Sequence, residues 1–176
     1  ITIVFFFFFV CTAIAQQKPY SQQMSQTAMN LWPDSFKLKP GNARWSYDQG
    51  VILKGVEGVW KLYGEGKYFN YIQHSMDFYV QDNGTIKDYK KEEFNIDHTN
   101  NGKVVMMLYN VTGKEKYKKA IDLLRSQFEE HPRTKEGGFW HKKIYPWQVW
   151  LDGLYMGQPF YAEYAKMAGQ DKVFDD

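Results

Sequence analysis

The sequence predicts an all-α fold that forms the N-terminal part, about half, of a toroid of six helical hairpins. Three times an aspartate stands 16 or 17 residues before a glycine that ends a helix-like segment, and another helix-like segment follows the first two glycines. The pairs are Asp48 and Gly64, Asp97 and Gly113, and Asp152 and Gly169. A repeat of about 50 residues is typical of stacked helical hairpins. No strand pattern of useful length appears, and three hairpins cannot close a ring, so we expect a longer protein.

The first fifteen residues predict a secretory signal peptide. Residues 3–10 form an apolar run too short to span a bilayer, and Ala-Ile-Ala at 13–15 resembles a cleavage site. Cys11, the only cysteine, would leave with the signal; a lipidated Cys11 is the alternative, which the bulky residues before it disfavour. We expect a bacterial protein, secreted or periplasmic, with residues 16–176 in one domain and no membrane contact after cleavage.

Apolar residues at helical spacing predict the helices in order. The expected segments are 16 to about 39 with a break at 32–34, then 47–63, 68–80, 97–112, 115–130 and 150–168. A turn is expected at Pro40-Gly41-Asn42. The three glycines inside the second segment, Gly50, Gly55 and Gly58, predict close approach by another helix, and Pro159 predicts a kink in the last one.

The composition limits the possible partners. A net charge of +2 makes no case for nucleic acid or a membrane surface. Aromatic residues make up 18% of the chain, a proportion that suits either a sugar-binding cleft or heavy packing between helices. The four histidines lack the spacing of a metal motif, and no nucleotide-binding loop is present, so we expect no metal and no cofactor.

The strongest candidate site surrounds Asp152, at the start of the last helix. Trp147, Trp150 and Tyr155 flank it, and burial among aromatic rings would raise the pKa of a carboxyl group and suit it to proton donation. Asp97 occupies the equivalent place one repeat earlier, and two carboxylates in one cleft are the working parts of glycoside chemistry. The alternative for both is a helix N-cap.

Two further segments predict substrate contacts. Asp48 is the third equivalent aspartate, with a structural role as a helix cap or a binding role, and the neighbouring Tyr47 would offer its hydroxyl to the substrate. The loop at 138–145 contains His141 and Lys142, and a basic loop beside carboxylates suits an anionic sugar such as a uronic acid. The alternative is a solvated surface loop.

Three motifs resemble a known group of enzymes. Residues 45–50 (WSYDQG), 95–98 (NIDH) and especially 143–156 (KIYPWQVWLDGLYM) resemble the bacterial unsaturated glucuronyl and rhamnogalacturonyl hydrolases, glycoside hydrolase families 88 and 105. The similarity covers roughly residues 31–176. It implies an (α/α)6 barrel without a cofactor. It also implies an enzyme that hydrates the C4=C5 bond of an unsaturated uronic acid at the non-reducing end of lyase-generated oligosaccharides.

The resemblance also implies residue roles. Asp152 would donate the proton to C4 and then assist water attack at C5, and Asp97 would be the second essential aspartate. The expected substrate-binding residues are Tyr47, His141, Lys142, Tyr145 and Trp150. The motif context is closer to the rhamnogalacturonyl type.

Two other functions remain open from the residues alone. One is a different toroidal glycosidase or a polysaccharide lyase. The other is a helical-repeat protein that holds glycans on its aromatic residues without catalysis.

Overall fold

The computed structural model describes residues 17–33, 36 and 43–176, and this part of the chain is helical. It contains no β-strand, only isolated antiparallel bridges between Val80 and Ile86 and between Arg133 and Phe139. None of the helices described is both long and apolar enough to cross a membrane. The predicted signal peptide at 1–15 and the turn at 40–42 lie outside the described residues, and both stay predictions.

Within the described residues, six α-helices follow one another in the order that the sequence predicts. They are α1 (Tyr20–Leu31), α2 (Tyr47–Tyr63), α3 (Gly66–Asp77), α4 (Gly102–Thr112), α5 (Glu115–Glu130) and α6 (Leu151–Ala168). Short 3₁₀ helices occupy Lys91–Glu93, Ile96–Thr99 and Asp171–Asp175.

The repeating glycines end the second, fourth and sixth helices. Gly64, Gly113 and Gly169 are the C-cap residues of α2, α4 and α6, with φ of 70°, 65° and 65°. This left-handed conformation is costly for residues with a Cβ, and it allows the chain to reverse after each helix. The repeat seen in the sequence is therefore a repeat of helix ends.

The helices form two layers. In one layer α4 lies between α2 and α6 and packs against both, and in the other α3 packs on α2 and α5 packs on α4. Aromatic side chains fill the space between the layers, including Tyr68, Tyr79, Tyr117 and Phe160, each less than 2% exposed. Much of the aromatic content is thus core packing, and the layering is that of stacked hairpins.

The helix predicted at 97–112 begins later than expected. Residues 96–99 form a 3₁₀ turn, and α4 starts only at Gly102. The side chains of Asn100 and Asn101 instead donate to the backbone oxygens of Tyr47 and Ser46 at 2.7 and 2.9 Å. These bonds tie the turn to the start of α2 and displace Asp97 from the helix into the loop that precedes it.

The three glycines of α2 do not share one role. A Cβ on Gly50 would lie 2.5 Å from Asn101 Oδ1, so close approach explains this position. Gly55 and Gly58 have no described atom within 4 Å of a built Cβ, which makes the prediction wrong for both within the described part of the chain. Gly55 instead lines an apolar groove between α1 and α2.

Candidate active site

Two loops meet at the end of α4 and α6 where the predicted aspartates lie. The backbone N–H of Ile96 donates to the carbonyl of His141 at 3.0 Å, and the N–H of Lys143 donates to the carbonyl of Glu93 at 3.2 Å. Within the second loop the N–H of His141 donates to the carbonyl of Gln148 at 2.7 Å. Backbone bonds therefore hold His141 and Lys142 beside the segment that contains Asp97.

Asp97 is a buried carboxylate with a cation as its partner. It is 6% exposed, and the side chain of Asn95 caps its backbone N–H at 3.1 Å. Lys142 Nζ lies 2.8 Å from Oδ2, and His141 Nε2 lies 3.5 Å from Oδ1, too far for a strong hydrogen bond. The Lys142 ammonium offsets the cost of burying this charge.

His141 is a buried imidazole next to Asp97 and Asp152. It is 2% exposed, and burial lowers its pKa, opposed by Asp97 and Asp152 and assisted by Lys142. A Cβ on Gly153 would lie 3.0 Å from Nδ1, so a larger residue there would press on the ring. Nδ1 has no hydrogen-bond partner among the described residues. The imidazole is therefore held by packing, and its burial disfavours the protonated form.

Asp152 lies in the first turn of α6, at the open side of the site. Its Oδ1 accepts from the N–H of Gly153 at 3.0 Å, and the residue is exposed. The expected burial among aromatic rings is wrong for the described residues, because Trp147, Trp150 and Tyr155 are themselves 65%, 38% and 49% exposed. The carboxyl group is therefore accessible to solvent and to a ligand.

The alternative reading of the aspartates as helix caps does not hold. The N-cap residues of α2 and α6 are Ser46 and Trp150, and Asn95 caps the 3₁₀ turn. At the start of α2 the side chain of Gln49 accepts from the N–H of Ser46 at 3.3 Å. Asp48 is thus not a cap. It lines a cavity of about 330 Å³.

Asp97, His141 and Asp152 converge on one point. One oxygen or nitrogen atom from each lies within 4.8 Å of the others, a spacing that can also hold a metal ion. The sequence predicts no metal, and linear spacing would not reveal this group. Lys142 already places a positive charge on Asp97, which opposes a divalent cation at the same position. The arrangement suits proton chemistry between carboxyl groups better than metal binding.

A stack of rings forms one wall of the site. Trp150 lies against His141 with ring centroids 4.1 Å apart and planes 10° apart, and Tyr145 stacks on Trp150 at 5.1 Å. The predicted substrate-binding residues Tyr145 and Trp150 therefore share one wall of the site, whereas His141 is buried against Trp150. Tyr47 does not belong to this wall. Its backbone oxygen accepts from Asn100, and Tyr47 is 45% exposed. No described contact links its side chain to the other side chains of the site.

Two buried residues that the sequence did not reveal, Gln127 of α5 and its C-cap residue His131, hold both loops. Gln127 Nε2 lies within 3.2 Å of the Asn95 carbonyl and of His131 Nδ1, and its Oε1 accepts from the Tyr89 hydroxyl at 3.0 Å. His131 Nε2 lies 2.7 Å from the carbonyl of Trp140, the residue before His141. Two polar residues at i and i+4 on the buried face of an amphipathic helix are the signal that could have revealed them.

The hydrogen bonds around His131 determine its tautomer and its protonation state. Tyr89 donates to the Gln127 oxygen, so the Gln127 amide nitrogen faces His131 Nδ1, which must accept. Nε2 then bears the proton and donates to Trp140. Burial lowers the pKa of His131 to about 4, with Arg133 and His141 adding to the effect and the Trp140 carbonyl opposing it. The imidazole is thus a neutral structural link.

Comparison with known proteins identifies the family. The sequence profile described as Glycosyl Hydrolase Family 88 matches residues 20–176. A solved glycoside hydrolase of family 105 from C. acetobutylicum ATCC 824 is 46% identical, with a TM-score of 0.82. The match covers 90% of this chain and 42% of that one, so the chain spans less than half of the length of its relative. The motif resemblance and the helical-hairpin barrel are both confirmed, and the chain belongs to glycosyl hydrolase family 88.

Proposed function

We propose that the protein containing this chain removes 4,5-unsaturated uronic acid from the non-reducing end of lyase-generated oligosaccharides, with rhamnogalacturonan fragments as the substrate class. Family membership supports hydrolysis of a glycoside. The resemblance of the three motifs supports the unsaturated substrate. We also propose a secreted or periplasmic location, on the basis of the signal-like residues 1–15.

The observation that carries the proposal is the approach of Asp97 and Asp152. One carboxylate oxygen of each lies within 4.8 Å of the other, and a ring nitrogen of His141 lies within the same distance of both. An inverting displacement needs carboxyl groups about 6.5–9.5 Å apart to leave room for water. Asp97 is also buried and paired with Lys142, which disfavours it as a nucleophile toward a sugar. The geometry favours one exposed acid assisted by a fixed carboxylate.

The chemistry follows from these positions. Asp152 donates its proton to C4 of the vinyl ether, and positive charge develops at C5 and the ring oxygen. The ionised Asp152 then accepts a proton from the water that attacks C5. The hemiketal formed there opens and releases the aglycone. Asp97 stabilises the developing positive charge, because its carboxylate is fixed before the reaction starts.

The surroundings of the two acids suit an unsaturated uronate. Lys142 is 23% exposed in its side chain, so its ammonium can meet a substrate carboxylate while it holds Asp97. Trp150 and Tyr145 present stacked ring surface on which a flat, unsaturated sugar ring can lie. The alkene flattens the pyranose, which improves contact with an aromatic face.

The test is turnover by the complete protein on lyase-treated rhamnogalacturonan, followed as loss of the ultraviolet absorbance of the unsaturated uronate. Asp152→Asn should abolish turnover while the melting temperature and oligosaccharide binding are retained. Asp171→Asn, a matched change at an exposed aspartate of the C-terminal 3₁₀ helix, should leave turnover unchanged.

The rival functions give different results in the same assay. A polysaccharide lyase would increase the absorbance on intact polymer, and a glycan-binding protein would bind the oligosaccharide without changing it. Normal turnover by Asp152→Asn would refute the assignment of the acid.

A further inference from the structure

Lys103 is a buried ammonium whose partner is a backbone carbonyl. It is the second residue of α4 and is 4% exposed. Its Nζ donates to the carbonyl oxygen of Tyr155 at 3.0 Å and lies 3.8 Å from the centroid of the Tyr155 ring. Among the described residues no carboxylate lies within ion-pair distance of it. Burial of an ammonium group costs free energy when its partner is a backbone carbonyl and not a carboxylate. The position of Lys103 therefore requires an explanation.

The environment makes this arrangement costly. Burial lowers the pKa of Lys103 to about 8, and Lys54 on α2 adds to the effect while Glu163 on α6 opposes it. A lysine that served only to fill space would be replaced by an apolar residue without this cost. The ammonium must therefore do something that an apolar side chain would not.

The Tyr155 carbonyl is open because of Pro159. In a regular helix the N–H four residues later would donate to this oxygen, but Pro159 has no N–H and its ring presses on the preceding turn. The helix nevertheless continues from Leu151 to Ala168. Lys103 supplies the missing donor from the neighbouring helix, which satisfies a carbonyl that would otherwise be unpaired.

This bond lies one turn from the candidate acid. Asp152 precedes Tyr155 by three residues and so lies on the same face of α6. Lys103 follows Asp97 by six residues, just after the 3₁₀ turn. Close packing of the same helices continues nearby, where a Cβ on Gly102 would lie 2.6 Å from the Phe160 ring. The link therefore joins the two segments whose aspartates must meet.

We propose that Lys103 is a positioning residue for Asp152. Its ammonium donates to the Tyr155 carbonyl, which lacks a donor because of Pro159, and lies over the Tyr155 ring. These contacts fix the first turns of α6 against the segment that contains Asp97. Lys103 does not touch the substrate and acts through α6. The role rests on the proposed function, because it assigns Lys103 to the alignment of that reaction's acid.

The test is a double-mutant cycle in the complete protein. Lys103→Met keeps the volume and removes the donor, and Pro159→Ala restores an N–H that can bond the Tyr155 carbonyl. Lys103→Met alone should lower kcat by about tenfold to a hundredfold, as small displacements of a catalytic group do. KM should stay within about twofold, because substrate contacts are kept. In the Pro159→Ala background the same change should cost less than about threefold.

Two further variants separate positioning from general damage. Lys103→Arg keeps a charged donor and should retain most of the turnover. Lys118→Met, on α5, removes a lysine that lies over the Tyr164 ring and pairs with Asp122, and it should leave kcat within about twofold. Melting temperatures should show the same non-additivity between Lys103→Met and Pro159→Ala as kcat does.

The outcomes distinguish this role from the proposed function. Turnover in the unsubstituted protein, with equal losses of kcat from Lys103→Met in both backgrounds, would overturn the positioning role alone. Absence of turnover in the unsubstituted protein would overturn the proposed function and this role with it. A rise in KM with an unchanged kcat would also overturn the positioning role.

Discussion

Acidification should destabilise this protein through His131. The folded protein keeps this imidazole neutral because its Nδ1 faces the Gln127 amide and its surroundings are buried, whereas the unfolded chain protonates it near pH 6.5. As the pH falls below 6.5 the unfolded state binds the proton first. The contribution of His131 is therefore present above 6.5 and is lost as the pH falls toward about 4.

The two pKa values set the size of the effect. Each pH unit between 6.5 and about 4 costs about 1.4 kcal/mol, so the full interval lowers the free energy of unfolding by about 3 kcal/mol. This is a large share of a typical domain stability of about 5–15 kcal/mol. Below pH 4 the folded state also binds the proton, and this contribution stops changing.

Urea unfolding at several pH values measures the effect. His131→Gln removes the titrating group, so its stability should fall less steeply between pH 7 and 4 than that of the unsubstituted protein. An NMR titration of the imidazole gives the pKa directly. Equal slopes in His131→Gln and the unsubstituted protein would refute the reasoning.

The remaining predictions concern the packing and charges around the site. Gly157→Ala should lower the free energy of unfolding by about 1–3 kcal/mol, because the new Cβ would lie 2.8 Å from Ile96, and urea unfolding should show a smaller loss from the same change in an Ile96→Ala background. Gln127→Met should cost about 2–4 kcal/mol by thermal melting, since it leaves several buried polar partners without a hydrogen bond. Lys142→Met should lower kcat/KM by at least about a hundredfold, because it leaves Asp97 buried without its cation, and Lys143→Met serves as the control in the same assay.

Helix positions were largely predictable from local signals. The periodicity of α2 and α5 and their flanking glycine and proline predict Tyr47–Tyr63 and Glu115–Glu130 with the same ends as in the structure. The prediction for α4 was wrong at its start, because bonds from Asn100 and Asn101 to another helix decide that boundary. Hydrophobic periodicity does not predict a side-chain hydrogen bond to another helix.

The candidate site was predictable in its members but not in its environment. The repeat and the motifs predict that Asp97, Asp152 and His141 belong to one site. In the structure one atom of each lies within 4.8 Å of the others. Their burial could not be predicted, since it depends on packing: Asp97 is enclosed with Lys142, whereas Asp152 remains exposed. Lys103, Gln127 and His131 were missed for the same reason, because each bonds to a backbone carbonyl of another element or loop, which helical periodicity does not predict.

The position of α5 between the two site loops has a consequence for folding. The bonds of Gln127 to Asn95 and of His131 to Trp140 span only 32 and 9 residues. Short chain segments close at small entropic cost, and contacts of low sequence separation form early. The polar framework of the site can therefore assemble as soon as α5 docks on α4. We therefore expect the loops around Asp97 and His141 to form together with the hairpin core.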